Sequence, residues 1–263
     1  MPGKTLILGL AAGYHYNDVR PFLASLDRAA YTGDLVLFVS ETTRDLDRMG
    51  RHPAAIIPIE RTSGMENLPY NGLRYFLYRE WLTSCGQTYD RILLTDVRDV
   101  IFQYDPFAHA WPDGVNCTLE DRIVTVGTCP FNAHWVREHL GRNALAEVAD
   151  RPVSCSGTTV ADHGSMLTYL RLMTDRLTPP TLGERMAGYD QGVHNHLLHT
   201  GQIPNLTLHD NTGPILTLAQ TREEPIVDAQ GYVLNDAGKR PHMVHQYDRK
   251  PGLFQHLRGR FAA

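Results

Sequence analysis

Apolar runs of strand length alternate with amphipathic stretches through the first hundred residues. Thr5 to Leu10 reads as a buried strand, Val19 to Ala29 as a helix with Asp18 near its start, and Leu35 to Val39 as the next strand. That order is a β-α-β unit, which predicts parallel strands joined by a right-handed crossover. Ala55 to Ile59 is a third short strand. Asn71 to Cys85 has helical spacing, with Leu73, Phe76, Leu77 and Leu82 forming an apolar stripe and Arg74, Arg79 and Glu80 on other faces. The run Ile92-Leu93-Leu94 is then a buried strand that stops on Asp96. Asp99 follows, then apolar Val100-Ile101-Phe102 and a turn at Asp105-Pro106.

After Pro106 the pattern becomes mixed. Asn116 to Leu119, Ile123 to Val126 and Val153 to Thr159 read as strands, the last ending in a small-residue turn. Phe131 to Leu140, Ala144 to Ala149, Ser165 to Arg176 and Tyr189 to His199 read as helices, with Pro179-Pro180 breaking the chain between the last two. Ile215 to Leu218, Tyr232 to Leu234 and Met243 to Gln246 are short strand candidates in the tail. No repeat or long linker interrupts the chain, so one α/β domain spanning 1–263 is the expectation, with a division near residue 107.

Composition narrows the class. The 263 residues are 42% hydrophobic and 21% charged, ordinary for a globular protein large enough to bury a substantial core. A formal charge of −4 gives no general attraction to nucleic acid or to anionic lipid. The four cysteines, Cys85, Cys117, Cys129 and Cys155, form no C-x-x-C pair, which fits a reducing compartment and no disulfide framework. Leu6 to Ala12 is too short for a secretory leader and no segment has the length of a membrane span, so a cytoplasmic protein is expected.

The chemistry concentrates in four places. Asp96 and Asp99 follow a buried strand, at the edge where open α/β sheets bind ligands. Two carboxylates this close raise each other's pKa unless a cation lies between them, and their hard oxygens suit Mg²⁺ or Mn²⁺. The alternative is a helix or turn cap at Asp96 and a surface pair between Asp99 and Arg98 or Arg91. The loop Ala11-Ala12-Gly13-Tyr14 leaves the first strand without G-x-G-x-x-G or a P-loop; Tyr14 either holds a base or ribose or only packs. Gly188 to Asn195 gathers Asp190, Gln191, His194 and Asn195, with Gln191 and Asn195 on one helical face: a substrate-reading surface or a capping network. His245 closes an apolar strand with His242 on the opposite face, and Arg249 and Lys250 follow as cations for a diphosphate or as solvated charges.

The order of elements and the carboxylate pair resemble the GT-A superfamily of metal-dependent, nucleotide-sugar glycosyltransferases. The resemblance implies a GT-A-like single domain, with a Rossmann-like nucleotide-binding half (1–107) around a mainly parallel sheet. A mixed α/β acceptor half (108–263) would carry a late metal and diphosphate segment. Asp99, before Val100-Ile101-Phe102, matches the family's metal-binding aspartate, although the spacing here is D-x-x-D rather than D-x-D. The implied metal set is Asp99, His245 and Asp96, loaded with Mn²⁺ or Mg²⁺. His245 would be the late ligand, outside any H-x-x-G-x-x-K-P-W signature. The nucleotide contacts would come from Ala11, Gly13, Tyr14, Arg74, Asp96 and Arg249. Asp190 would be the catalytic carboxylate, with Gln191 and Asn195 toward the acceptor. The donor would be a nucleoside diphosphate sugar, a UDP-sugar first, and the acceptor a glycan or another hydroxyl compound. Two other readings fit a carboxylate-tipped strand: metal-dependent phosphoester hydrolysis, and a nucleotide-binding protein without activity.

Overall fold

The computed structural model describes residues 3–61, 65, 67–178 and 188–261. Four parallel strands, β1 (Thr5–Leu10), β2 (Asp34–Val39), β3 (Ala55–Pro58) and β4 (Arg91–Thr95), lie in the order β3-β2-β1-β4. The short β5 (Val100–Phe102) leaves this sheet, and β6 (Val115–Leu119), β7 (Ser154–Ala161) and β8 (Leu206–His209) extend it as β4-β7-β6-β8. Only β7 runs against its neighbours, so β6 points the same way as β4. The strand ends Thr95 and Leu119 therefore share one edge. A second sheet pairs β5 with β10 (Met243–His245) and β10 with β9 (Ile215–Thr217).

Both faces of the large sheet are buried, which is why β1 and β4 read as continuous apolar runs. Leu6, Leu8, Ile92 and Leu94 pack beneath α3 (Tyr70–Ser84), α6 (His163–Leu177) and α7 (Tyr189–His199). Ile7 and Leu93 face the other way, against α1 (Tyr16–Arg28) and the small sheet. Phe22 of α1 meets Phe102 of β5 edge-to-face, and Ser25 Oγ accepts the Phe102 N–H at 3.0 Å. These contacts lock the small sheet to the first half of the chain. The remaining helices, α2 (Leu46–Met49), α4 (Pro130–Leu140), α5 (Arg142–Val148) and α8 (Pro251–Arg260), lie outside these layers or pad the second half. No described helix is long and apolar enough to cross a membrane, and all four cysteines are free.

The expected elements recur within one to three residues at their ends, with informative exceptions. Ile123 to Val126 is not a strand: Ile123 is 74% exposed, and the segment makes only the isolated bridge Thr125–Pro152. Tyr232 to Leu234 likewise contributes a single bridge, Val233 to Val227. The small residues Ser156-Gly157-Thr158-Thr159 are not a turn but the middle of β7, which continues to Ala161. The Pro179-Pro180 break lies outside the described residues.

One core group carries a pH dependence. His194 of α7 is fully buried between Tyr169 Oη at 2.8 Å and Ser154 Oγ at 3.1 Å. Burial pushes its pKa down to about 3. The unfolded chain therefore binds this proton first, so the stability contributed is full above about pH 6.5 and falls as pH drops toward 3, by about 1.4 kcal/mol per pH unit. Urea unfolding at pH 7 and pH 5 is expected to differ by about 2 kcal/mol from this residue alone, and His194→Gln should remove that increment. An unchanged pH slope in the variant would assign the dependence to other groups.

Candidate metal centre

Three segments distant in sequence converge at the shared sheet edge. Asp96 follows β4, with its N–H donated to Gly157 O of β7 at 2.8 Å. Asp99 immediately precedes β5, and β5 pairs with β10 so that Val100 lies opposite His245. One strand register thus sets Asp99 beside His245. After His245 the chain turns at Gln246, whose left-handed backbone (φ 59°) directs its N–H to Asp99 O at 2.8 Å. Strained non-glycine backbone of this kind costs on the order of 1–3 kcal/mol and persists where the surroundings over-determine it.

Single ligand atoms of Asp96, Asp99 and His245 all lie within 4.8 Å of one another, a set suited to a divalent ion. His245 Nε2 is 3.4 Å from Asp96 Oδ2 and 4.0 Å from Asp99 Oδ1, yet neither imidazole nitrogen makes an aligned hydrogen bond. A fully buried imidazole without such a partner is rare, and a metal ion would satisfy it. Gly157 completes the cradle: a Cβ there would stand 2.8 Å from His245 Nε2 and collide with Asp96 Oδ2.

Electrostatics distinguish the two carboxylates. Burial pushes Asp96 up, but Arg74 and His245 outweigh it and hold its pKa at about 2. Burial dominates at Asp99 and, with Asp96 and Asp248 adding to it against the pull of His245, raises the pKa to about 6. Burial favours neutral His245, yet the Cys155 thiol, Asp96 and Asp99 overcome that and raise it well above the usual histidine range. Without metal, an imidazolium therefore supplies the positive charge between the aspartates.

Arg74 of α3 is the second organiser. It pairs with Asp96 through Nη1 and with Asp190 of α7 through Nη2, the latter at 2.9 Å. Asp190 is buried and accepts further bonds from Asn71 Nδ2 at 2.8 Å and Ser156 Oγ at 3.2 Å. It is not the cap of α7, and its lone pairs are committed to holding Arg74. The expected catalytic carboxylate thus holds the guanidinium, and Arg74, expected at the nucleotide, lines the cleft while paired with two acids.

The other expected residues divide. Tyr14 and Arg249 line a cleft of about 620 Å³ with Arg74, Asp96, Arg98 and Asp99. Ala11 is fully buried with its backbone bonded to Phe38 and Thr43, and the Gly13 N–H is taken by Ser40 Oγ at 2.9 Å and Thr43 Oγ1 at 3.2 Å. Neither offers a donor to a nucleotide. Gln191 lines a second cavity of about 750 Å³. Asn195 does not: its amide bridges Ser154 N and O at 2.8 and 2.9 Å, tying α7 to β7. The bland pairings weighed for the aspartates do not form: Arg91 pairs with Asp113, and Arg98 with Asp248.

Two residues of the site went unread in the sequence. Gly157 has no signature beyond sitting among small residues. Glu120 does have one: it follows the apolar end of β6 as Asp96 follows β4, and it lines the second cavity. Burial raises its pKa against the pull of His245, Gln220, Cys155 and Arg249. No family model matches the chain, and no curated protein matches it significantly.

Metal ligation requires the deprotonated donors, so Mn²⁺ entering the metal-free protein at pH 7 should displace about one proton, from His245. Calorimetric enthalpies that scale with the ionisation heat of the buffer would register it; no buffer dependence would remove His245 from the ligand set. Gly157→Ala should weaken Mn²⁺ binding at least tenfold with the far-UV circular dichroism retained, because its methyl group enters the ligand space. Wild-type affinity in that variant would show that the ion, if bound, lies elsewhere.

Proposed function

We propose that the chain is a metal-dependent glycosyltransferase of GT-A type, moving a sugar from a nucleoside diphosphate sugar, first a UDP-sugar, to an acceptor hydroxyl. The observation that carries this reading is a pair of cavities: a cleft lined by Asp96 and Asp99, and a second that meets it at Arg249. Arg249 lines both cavities. Apart from Arg249, the cleft over the cluster draws its lining from residues 10–99 and the second cavity from residues 120–246. Two rooms of ligand size, one from each half of the chain, suit two substrates meeting at a charged centre. A phosphoester hydrolase needs one such room and water.

Asp99, His245 and Asp96 would hold Mn²⁺ or Mg²⁺, which supplies Lewis-acid stabilisation of charge on a departing diphosphate. The protein's own cations stand beside it. Arg98 and Arg249 reach the cleft with partly exposed guanidinium groups, each near Asp248. Arg74 fixes the orientation of Asp96, and Asp190 fixes Arg74. Tyr14, in the loop after β1, offers a ring to the base or ribose. In the transfer, the bond from anomeric carbon to phosphate oxygen breaks with its electron pair staying on the diphosphate, one to the acceptor oxygen forms, and the hydroxyl proton passes to the departing diphosphate. Fixed positive groups aimed at the leaving diphosphate lower the barrier because they require no reorganisation during the reaction.

UDP is expected to bind at least tenfold more tightly with Mn²⁺ than with a chelator, measured by titration calorimetry. Asp99→Asn and His245→Ala should lose that metal dependence and release of sugar from UDP-sugars while keeping the fold. Equal UDP affinity with and without metal would defeat the proposal.

A further inference from the structure

Glu120 lies at the end of β6, on the same sheet edge as Asp96, with β7 between them. Its side chain is 2% exposed, and its Oε2 has no hydrogen-bond partner. It also makes no ion pair among the described residues. A carboxylate buried this deeply and left one partner short is normally satisfied by a ligand or water. It lines the 750 Å³ cavity, so the missing donor would come from whatever occupies that space.

The rest of the lining narrows the occupant. Gln191 and Gln220 contribute amides to the lining, while Asn132 beside them is already partnered, accepting from Gln191 Nε2 at 3.1 Å and donating to Cys129 Sγ at 3.2 Å. Trp135 and Phe131, with ring centroids 6.1 Å apart, supply an apolar wall, and Phe131 is 68% exposed at its rim. The Trp135 indole is held from behind, since a Cβ at Gly188 would strike its ring. An anionic ligand would meet Glu120 unfavourably, and an apolar one would leave Glu120 Oε2 unsatisfied. A cation would find only one carboxylate. Several hydroxyls on a ring with a flat C–H face satisfy every part of this lining: hydroxyls for the acid and amides, the ring face for the aromatic wall.

We infer that this cavity is a saccharide subsite, so that the acceptor in the proposed transfer is itself a sugar. Its place in the reaction rests on the glycosyltransferase reading; its ability to hold a sugar ring does not. Trp135 stacks on the ring, Glu120 accepts from its hydroxyls, and Arg249 marks the opening toward the donor cleft.

Saturation-transfer NMR tests this on the whole protein, with and without UDP and Mn²⁺. The probes are the methyl glycosides of glucose, galactose, mannose and N-acetylglucosamine, together with maltose and lactose. At least one is expected to receive saturation on its ring protons. Trp135→Ala should abolish the signal and Glu120→Gln should weaken binding at least tenfold, with UDP–Mn²⁺ affinity unchanged in both. No transfer to any probe in either condition, or signal surviving both substitutions, overturns the subsite. Glycoside binding without UDP–Mn²⁺ binding would instead sink the donor reading and leave the subsite standing. UDP–Mn²⁺ binding without glycoside binding does the reverse.

Discussion

The organising constraint of this protein is the confinement of two aspartates and a histidine in one buried space. Carboxylates so close repel each other and lose hydration, and neither effect is relieved by the backbone. The surrounding elements read as answers to that difficulty. Helix α3 delivers Arg74 to one side of Asp96, and strand β10 delivers His245 to the other. Helix α7 delivers Asp190, which keeps Arg74 from following a single partner. Strand β7 passes beneath with a glycine, because any side chain there would occupy the shared space. Asp99, whose nearest arginine charge, Arg98, is paired with Asp248 instead, remains the acid most dependent on an added cation.

Much of this was legible in the sequence because two-sided burial leaves an unbroken apolar signature. Strands β1, β2 and β4 declare themselves that way, and the polar residues that end such runs mark the ligand edge. That rule located Asp96 and Asp99. The small apolar strand before His245 located the third member. The same rule applied to Leu119 points to Glu120, but β6 carries Asn116 and Thr118 in buried positions, which breaks its apolar run. Strand β8 escaped because its residues are only partly buried, and Ile123 misled because an exposed isoleucine looks like a buried one in sequence.

Backbone and amide partners were the least readable features. Gly13 sits in a small-residue loop at the ligand edge, but its N–H is spoken for by hydroxyls some 27–30 residues away. Asn195 shares a helical face with Gln191, and only the tertiary position of Ser154 decides that one amide serves the fold while the other meets a cavity. Asp190 has the residue type for proton transfer, and the type alone does not tell that Arg74, Asn71 and Ser156 surround it. Periodicity tells which face a side chain occupies; it does not tell whether its hydrogen bonds are already made.

The pairing of β5 with β10 has a consequence for how the protein comes into being. Val100 and His245 face each other across strands separated by most of the chain, and such distant pairings close slowly because the intervening loop must be ordered first. The parallel strands of the amino-terminal half can gather around α1 and α3 well before the ligand set exists. The space shared by Asp96, Asp99 and His245 is therefore assembled only once the late segment has threaded into place beside β5.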